Sequence, residues 1–308
     1  MNPLVTFNKR RISPSHPPVG SPRPLRGDLR NVRRSSTREG PRVLFSRDGR
    51  GMPFHNAWKG QHCFLICGGP SLKSLDLTLL SGRGMATMAL NNAWLMHRPT
   101  FWVSADPPDR FSDLGWRDPS ILKFVPFVHA KSKLASMNEG GVKVKNEETP
   151  GDMPSTFYFV RNDGFDPKTF LDEDGISWGT LKKTKDSLGI ANSRSVMLCA
   201  MKLLPWMGFT SIYLLGCDFH MPLGHGPAYA WDEDKTKKGR IGNNNLYQML
   251  TSRLTALKPF LDGRGISVWN CNLQSALKVF PHMPYDEALV RSRMKSEGTT
   301  PVTKGWYS

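Results

Sequence analysis

Apolar residues along this chain form short continuous runs that end in polar turns. Each run has the length of a β-strand, and most are continuously apolar rather than alternating, which is typical of strands buried on both faces of a parallel sheet. Pro126 lies in the fourth run and predicts an edge position for it. The predicted strands are His62–Cys67, Met85–Leu90, Thr100–Ala105, Leu122–Val128, Ser155–Val160, Ser211–Gly216 and Gly265–Asn270.

Helical periodicity separates these runs. Residues Asn192–Met207 place apolar side chains at helical spacing, with Asn192 or Ser193 able to cap the helix and Pro205 expected to kink its last turn. A second helix is predicted over Asn244–Leu261, and a short one begins at Ser71. Alternation of strands and helices predicts an α/β fold, with a mostly parallel sheet covered by helices on both faces.

Positive charge is concentrated at the start of the chain. Residues 1–50 hold 12 Lys and Arg against three Asp and Glu, or +9 of the total net charge of +16, together with seven prolines. Such a segment buries too little apolar surface to offset its ordering entropy. We therefore predict a flexible basic arm over 1–55, one α/β domain over 56–290 with an insertion or lid at 130–190, and a flexible tail over 291–308.

The arm has two interpretations. It contacts a polyanion, such as nucleic acid or an acidic glycan, or it is a solvated tail without a specific partner. The segment has no interleaved aromatic residues for base stacking.

Composition narrows the class of protein further. No apolar run approaches the ~18 residues of a spanning helix, and the basic N-terminus has no apolar core of a secretory signal. The five cysteines are odd in number and contain no C-x-x-C pair, which argues against a zinc ribbon or a disulfide framework. A reducing cytoplasm is the expected location.

Polar residues follow several predicted strands at the point where each ends. They are Gly68-Gly69-Pro70-Ser71, Asn91-Asn92, Asp106 and Asp218-Phe219-His220. The carboxyl ends of parallel strands form the ligand crevice of a doubly wound sheet, so we expect these groups to share one site.

The glycine-rich turn and the asparagines suit a nucleotide. Gly68 and Gly69 let the backbone approach a ligand closely, and Ser71 offers an N–H and a hydroxyl to phosphate. Asn91 and Asn92 can bind a base edge, a sugar hydroxyl or a phosphate. The alternatives are a plain strand-to-helix turn and asparagines chosen for a positive φ.

Carboxylates suggest a second chemistry. Asp106 and Asp109 flank two prolines and could hold Mg²⁺ on a nucleotide phosphate, with Asp218 as a third ligand. Asp106 could instead hydrogen-bond a ribose or cap a helix.

Two histidines are candidate general bases because imidazole titrates near neutrality. His220 and His225 follow the sixth predicted strand, and Asp218 could orient one of them. A solvated or satisfied loop histidine is the alternative for each. Ser193, Arg194 and Ser195 begin the predicted helix and could pair with an anionic donor group or act only as caps.

The order of these motifs resembles two related families. The segments ICGGPSLKSLD (66–76), LNNAW (90–94), FWVSADP (101–107), SIYLLGCDFH (211–220) and WNCNLQSAL (269–277) are similar to bacterial lipooligosaccharide-type sialyltransferases. They are also similar to the MptE-like group, named for a 6-hydroxymethylpterin diphosphokinase. The resemblance covers roughly residues 62–280. It implies a Rossmann-like fold and a nucleotide-sugar donor used without a bound metal cofactor.

The resemblance also implies roles for individual residues. In the sialyltransferases the glycine loop and the asparagine after strand two bind the donor nucleotide, a serine-rich helix start approaches the donor carboxylate, and tyrosines flank the phosphate. The matching positions here are Gly68, Gly69, Pro70, Ser71, Asn91, Ser193 to Ser195 and Tyr229.

Three positions depart from the family pattern. The family's catalytic histidine corresponds to Asn243, which is no general base at neutral pH. His220 replaces the first tyrosine and Asp106 replaces an asparagine. The leading hypothesis is a glycosyltransferase in which His220, or else His225, is the base. The alternatives are a Mg²⁺-dependent pyrophosphokinase of the MptE-like kind and a binding protein that kept the fold without the chemistry.

Overall fold

The computed structural model describes residues 40–82, 84–138, 142–181, 184–224, 226–231, 233, 235–294 and 307. Eleven strands and four α-helices occur in this part of the chain. In chain order the first elements are β1 (His62–Ile66), β2 (Ala86–Leu90), β3 (Phe101–Val103), α1 (Asp113–Arg117), β4 (Leu122–Pro126), β5 (Ala135–Met137), β6 (Lys143–Lys145) and β7 (Thr156–Phe159). They are followed by β8 (Arg161–Asn162), β9 (Ile176–Ser177), α2 (Val196–Met207), β10 (Ser211–Leu215), α3 (Lys237–Asp262), β11 (Ser267–Asn270) and α4 (Tyr285–Met294).

Seven strands form one sheet in the order β11-β10-β1-β2-β3-β4-β7, and every pairing within it is parallel. The chain runs outward from β1 through β2 to β7 and then returns to β10 on the other side of β1. This reversal between β1 and β10 is the topological switch point, where ligands bind in open α/β sheets.

Apolar layers cover both faces of the sheet, as predicted. On one face α2 and the second half of α3 pack against alternate strand residues such as Leu65 and Leu214. On the other face α4, Trp116 of α1 and the short turns after β1 pack against Phe64 and Tyr213. The α/β fold with a parallel, two-faced sheet is therefore confirmed.

Several predicted boundaries change. β4 lies between β3 and β7, so the predicted edge position is wrong, and Pro126 is the last residue of that strand. Ser195, not Asn192 or Ser193, caps α2 by accepting a hydrogen bond from the N–H of Met197. α3 begins seven residues earlier than predicted, at Lys237.

The predicted insertion at 130–190 is only partly separate from the sheet. It contains the antiparallel β5–β6 hairpin and the β8–β9 pair, but it also supplies β7, an edge strand of the main sheet. The insertion boundaries were therefore wrong for β7.

The folded domain extends beyond its predicted boundaries at both ends, so the predicted arm and tail are shorter. Val43, Leu44 and Phe54 are fully buried, and Phe45 pairs with Tyr158 of β7, so residues 40–55 belong to the folded domain. The rest of the predicted arm lies outside the described residues. α4 extends the domain to Met294, and most of the predicted tail beyond it also lies outside them. No helix in the described ranges has the length and apolar character needed to cross a bilayer.

Candidate functional site

A cavity of about 890 Å³ opens at the carboxyl edge of the parallel sheet, around the switch point between β1 and β10. The loops after β1, β2, β3, β4, β7 and β10 and the start of α2 contribute to its walls. The strand-end clusters predicted to share one site thus lie around one cavity. Two parts of the site are described below as the glycine-loop side (Gly68–Pro70 and Asp218 of the wall, with Ser71 and Asn272 bonded to Asp218) and the arginine side (Arg161, Trp178 and Arg194).

Both glycines of the glycine-loop side are required by packing. A Cβ on Gly69 would lie 2.5 Å from Asp218 Cγ and from the Gly216 carbonyl oxygen, and a Cβ on Gly68 would lie 2.7 Å from the Trp231 ring. The Gly69 N–H donates to the Gly216 carbonyl at 2.8 Å, which ties the loop after β1 to the loop after β10. The glycines therefore allow two loops to meet at the switch point.

Asp218 occupies the centre of the glycine-loop side. Its carboxylate accepts hydrogen bonds from the Ser71 N–H at 3.0 Å, from the Ser71 hydroxyl and from Asn272 Nδ2 at 2.7 Å. The Ser71 donors predicted to face a phosphate are thus directed to Asp218. Asp218 holds the loops together and, among the described residues, forms no hydrogen bond with His220, so its geometry does not support the orienting or metal-binding role predicted for it.

Asn91 and Asn92 line the cavity, as predicted. Asn91 has φ of 48°, which agrees with the alternative interpretation that asparagine is needed for the turn. Its Oδ1 is nevertheless a buried acceptor with no hydrogen-bond partner among the described residues. A ligand donor, such as a base amino group or sugar hydroxyl, would satisfy it.

The three carboxylates proposed as magnesium ligands do not converge. Asp106 lines the cavity and pairs with Arg110 at 3.3 Å, whereas Asp109 pairs with Lys145 of β6 at 2.7 Å. Asp218 is held by Ser71 and Asn272. Within the described ranges, no three His, Cys, Asp or Glu side chains are grouped so as to hold a metal ion. The residues present therefore do not fit the predicted Mg²⁺ site.

The three residues predicted to bind the donor at the start of α2 lie in different environments. Arg194 and Ser195 line the cavity. Ser193 is buried, and its carbonyl and hydroxyl oxygens accept hydrogen bonds from Arg253 at 2.9 and 3.2 Å. Ser193 therefore belongs to the core, and the donor-facing role predicted for it is wrong.

The loop after β10 brings the remaining predicted residues together. His220, Tyr229 and Asn243 line the cavity, and His220 is exposed. Asn243 Nδ2 lies 3.5 Å from the Tyr229 hydroxyl and 3.1 Å from Met221 Sδ. His225 lies outside the described residues.

Buried polar contacts from α3 fix this loop. The Arg240 guanidinium donates to the carbonyls of Pro222 and Gly226 at 2.9 and 2.6 Å. Asn244 exchanges two hydrogen bonds with the backbone of Met221, at 2.8 and 2.9 Å. The loop that carries His220 and Tyr229 is thus anchored at several points on one helix.

Aromatic rings form the wall beside the glycines. Tyr229 and Trp231 stack with ring centroids 4.7 Å apart and planes at 5°, and Lys235 Nζ lies 5.4 Å from the Tyr229 centroid. Phe219, which has φ of 54°, stacks on Tyr247 at 5.1 Å. Burial raises the pKa of Tyr247, so this ring is a neutral phenol at physiological pH.

The arginine side combines the predicted residue Arg194 with Arg161 and Trp178, which the sequence analysis missed. Arg161 follows β7, and its guanidinium lies 4.2 Å from the centroid of the Trp178 ring. Arg194 lies 5.0 Å from the same ring. Arg161 Nη1 also donates to the Ala105 carbonyl at 2.9 Å. Burial, with a smaller contribution from the Arg194 charge, lowers the pKa of Arg161 from its usual value.

His129, which follows β4, was also missed. Its Nε2 lies 3.3 Å from the Ala105 carbonyl oxygen and its Nδ1 lies 3.5 Å from Ser132 Oγ. Burial and then the Arg161 charge lower the pKa of His129, so the ring is neutral near pH 7. With both nitrogens directed to protein atoms, His129 supports the loop after β3 rather than facing a substrate proton.

No protein-family model, curated protein or solved structure matches the chain. The resemblance to sialyltransferases and the MptE-like group therefore stays a prediction, and the function has to be argued from the cavity itself.

Proposed function

We propose that the protein is a nucleotide-sugar-dependent glycosyltransferase that transfers a sugar to a hydroxyl acceptor. The observation that carries the proposal is the composition of the cavity at the switch point. Its lining combines stacked aromatic rings, an amide oxygen with no hydrogen-bond partner among the described residues, and two arginines. Aromatic rings bind bases and sugars through their faces, and guanidinium groups bind phosphates.

In this proposal the nucleoside binds beside Asn91 and the stacked rings of Tyr229 and Trp231. The Asn91 amide reads a base edge or a ribose hydroxyl, and the Tyr229 and Trp231 rings contact the base or the sugar. The two glycines keep Trp231 and Asp218 in place beside this site, because a larger residue at either position would displace them. The phosphates point toward the arginine side.

His220 is the general base of the proposed reaction. Its imidazole accepts the proton of the acceptor hydroxyl while that oxygen attacks the anomeric carbon. The bond between the anomeric carbon and the phosphate oxygen breaks, and the nucleotide leaves with the electron pair. Correct positioning and stabilisation of the leaving phosphate supply much of the reduction in barrier.

Two observations favour His220 over its neighbours. Asp218 is engaged by Ser71 and Asn272, and Asn243 has no basic nitrogen at neutral pH. His220 is exposed at the cavity wall, where an acceptor hydroxyl has access to it. His225 is the second candidate from the sequence.

The test is donor turnover. The full chain is incubated with a panel of UDP-, CDP-, GDP- and CMP-linked sugars, and nucleotide release is followed with and without His220→Ala. We expect release from at least one donor and a loss of about 100-fold in the variant. His282→Gln, outside the cavity, is the matched control and is expected to retain activity.

Each outcome separates the hypotheses. If no donor is bound or turned over, the proposed function is wrong. If a donor binds but is never turned over, the protein is a binding protein with this fold. If turnover is unaffected by His220→Ala, another residue is the base.

The acceptor in this proposal is a polyanion that the N-terminal segment brings to the cavity. Residues 1–39 contain nine Lys and Arg against two Asp and Glu. Deleting 1–39 leaves the folded residues 40–55 in place, so we expect donor hydrolysis to survive. Transfer to an acidic glycan or nucleic-acid acceptor should become weaker and less sensitive to salt. Unchanged transfer and salt dependence would contradict this role.

A further inference from the structure

The arginine side places two positive charges against one aromatic ring. The guanidinium carbons of Arg161 and Arg194 lie 4.2 and 5.0 Å from the Trp178 ring centroid, and all three residues line the cavity. In the part of the chain that the structure describes, neither guanidinium forms an ion pair with a carboxylate. The cavity therefore contains two guanidiniums that form no ion pair with a carboxylate among the described residues.

The Asp106 carboxylate, which also lines the cavity, does not neutralise them. The Asp106 carboxylate pairs with Arg110 at 3.3 Å and acts on Arg161 only through longer-range attraction. Two like charges beside one another, one of them half-buried, disfavour the empty site electrostatically. An anionic ligand would relieve this repulsion.

The protein also fixes the direction of this positive charge. Arg161 is held by the Ala105 carbonyl, and the Ser195 N–H donates to the backbone carbonyl of Trp178 at 2.9 Å, which joins the backbone at Trp178 to the start of α2. Val196 and Met197, the first residues of this 12-residue helix, also line the cavity. The positive end of the helix dipole therefore adds to the potential of the two arginines.

We propose that Arg161 and Arg194 form a diphosphate subsite, so that the ligand is a nucleoside diphosphate derivative rather than a nucleoside monophosphate derivative. This inference rests on the proposed function and specifies its donor class. A sugar ester of a nucleoside diphosphate has one negative charge on each phosphate, which matches the two guanidiniums. A sugar ester of a nucleoside monophosphate has a single phosphate with one negative charge and would leave one arginine without a phosphate partner.

Guanidinium groups take the role that a metal ion has at many diphosphate sites. Planar guanidinium groups bind phosphate oxygens through paired hydrogen bonds. The described carboxylates, by contrast, are dispersed among Arg110, Lys145, Ser71 and Asn272 and offer no grouped metal ligands. Binding of the diphosphate is therefore expected to persist in EDTA.

The experiment is calorimetric titration of the full chain in EDTA with matched pairs of ligands. UMP and UDP, CMP and CDP, and GMP and GDP are compared, and inorganic pyrophosphate is titrated as a probe without a base. We expect one diphosphate to bind about tenfold or more tightly than its monophosphate, the difference typical of one added charge-assisted contact. Pyrophosphate is expected to bind weakly but measurably.

Substitutions test whether the preference for the diphosphate comes from the arginine side. Arg194→Met, at an exposed position, is expected to weaken the diphosphate about tenfold and the monophosphate less than about twofold. Arg194→Lys keeps the charge without the planar geometry and should restore part of the loss. Arg264→Met is the control, because Arg264 pairs with Asp172 on the surface outside the cavity.

The outcomes distinguish this inference from the proposed function. Equal binding of mono- and diphosphates, or equal weakening of both by Arg194→Met, overturns the diphosphate subsite while leaving nucleotide binding in place. Pyrophosphate binding that depends on Arg194, without turnover of any nucleotide sugar, supports the subsite and contradicts the glycosyltransferase. Tight binding of a sugar carboxylate in place of a diphosphate also overturns the inference.

Discussion

The two sides of the cavity use their polar groups in opposite ways. On the glycine-loop side, Asp218 accepts hydrogen bonds from Ser71 and Asn272, and both glycines are in close contact with neighbouring loops. On the arginine side, Arg161 and Arg194 contact Trp178 without a carboxylate partner among the described residues. The polar groups of the glycine-loop side are hydrogen-bonded to other protein groups. The arginine side has positive charge that a ligand can pair with.

This contrast shows how motif residues should be interpreted in this fold. Gly68-Gly69-Pro70-Ser71 is a glycine-rich turn after a strand that could bind phosphate, yet its Ser71 donors are directed to Asp218. Arg161 belongs to no motif, yet it lines the cavity without a carboxylate partner among the residues that the structure describes. Substitutions on the glycine-loop side should therefore reduce stability, and substitutions on the arginine side should reduce affinity.

The largest expected effect comes from the buried pair that holds the arginine side in place. Arg253 of α3 pairs with Asp186 at 2.8 Å, with both side chains fully inaccessible, and also donates to the Ser193 carbonyl next to Arg194. Arg253→Met leaves Asp186 as an uncompensated buried charge, so we expect the free energy of unfolding to fall by about 3–5 kcal/mol. Urea denaturation measures this change.

The exposed pair Arg264–Asp172 provides the control. Arg264→Met removes an ion pair in water and should lower the free energy of unfolding by less than about 1 kcal/mol. If the two variants lose equal stability, the buried pair does not fix the arginine side.

The next largest effect is expected at Asp218. Asp218→Ala removes the acceptor of the Ser71 N–H and of Asn272 Nδ2, and leaves these part-buried donors without their partner. We expect a loss of about 2–4 kcal/mol in the free energy of unfolding. Thermal and urea denaturation of the variant give the value.

Arg194→Met tests the expectation that a substitution on the arginine side leaves stability almost unchanged. It removes a cation–π contact of an exposed side chain, so its stability should change by no more than about 1 kcal/mol. A stable Asp218→Ala together with an unstable Arg194→Met would reverse the contrast between the two sides.

The smallest expected effect concerns a thiol beneath the glycine-loop side. The Cys67 side chain and burial raise the pKa of Cys217 well above its ordinary value of 9.0. Above pH 9 the unfolded chain therefore releases a proton that the folded chain keeps, and stability falls as the pH rises. Between pH 8 and 10 we expect the free energy of unfolding of Cys217→Ala to fall by about 1 kcal/mol less than that of the wild type.

Other groups titrate in the same range, which is why the variant is compared with the wild type. Burial lowers the pKa values of Lys123 and Lys202 to about 8, so these two side chains favour the folded state as the pH rises from 8 toward 10.5. Their contribution is the same in both proteins. Identical pH dependence of the wild type and Cys217→Ala would show that this thiol ionises equally in the folded and unfolded chains.

The sheet was predictable because its strands are continuous apolar runs with clear ends. The polar groups at those ends were also correctly placed around one cavity, because parallel strands present their carboxyl ends at one edge. The position of β4 was not predictable from Pro126, since a proline at the last residue of a strand is compatible with a central position.

Arg161 and Trp178 were missed because long-range pairing brings them together. Arg161 pairs with Ile176 across β8 and β9, so the aperiodic segment between them folds back and presents Trp178 to the guanidinium. A signal for Arg161 was nevertheless present. It follows the predicted strand Ser155–Val160, and His129 follows Leu122–Val128, so the rule applied to Asn91 and Asp106 would have selected both. No comparable signal marks the direction of Ser193 or Asp218, which depends on their contacts with Arg253 and Asn272.

The most direct test of the central claim is a crystal structure of the full chain soaked with nucleoside mono- and diphosphates. We expect a nucleoside beside Asn91 and the Tyr229–Trp231 stack, with phosphate oxygens within hydrogen-bonding distance of Arg161 or Arg194. An empty cavity at saturating nucleotide, or phosphates bound at the Ser71 N–H after displacement of Asp218, would contradict the account.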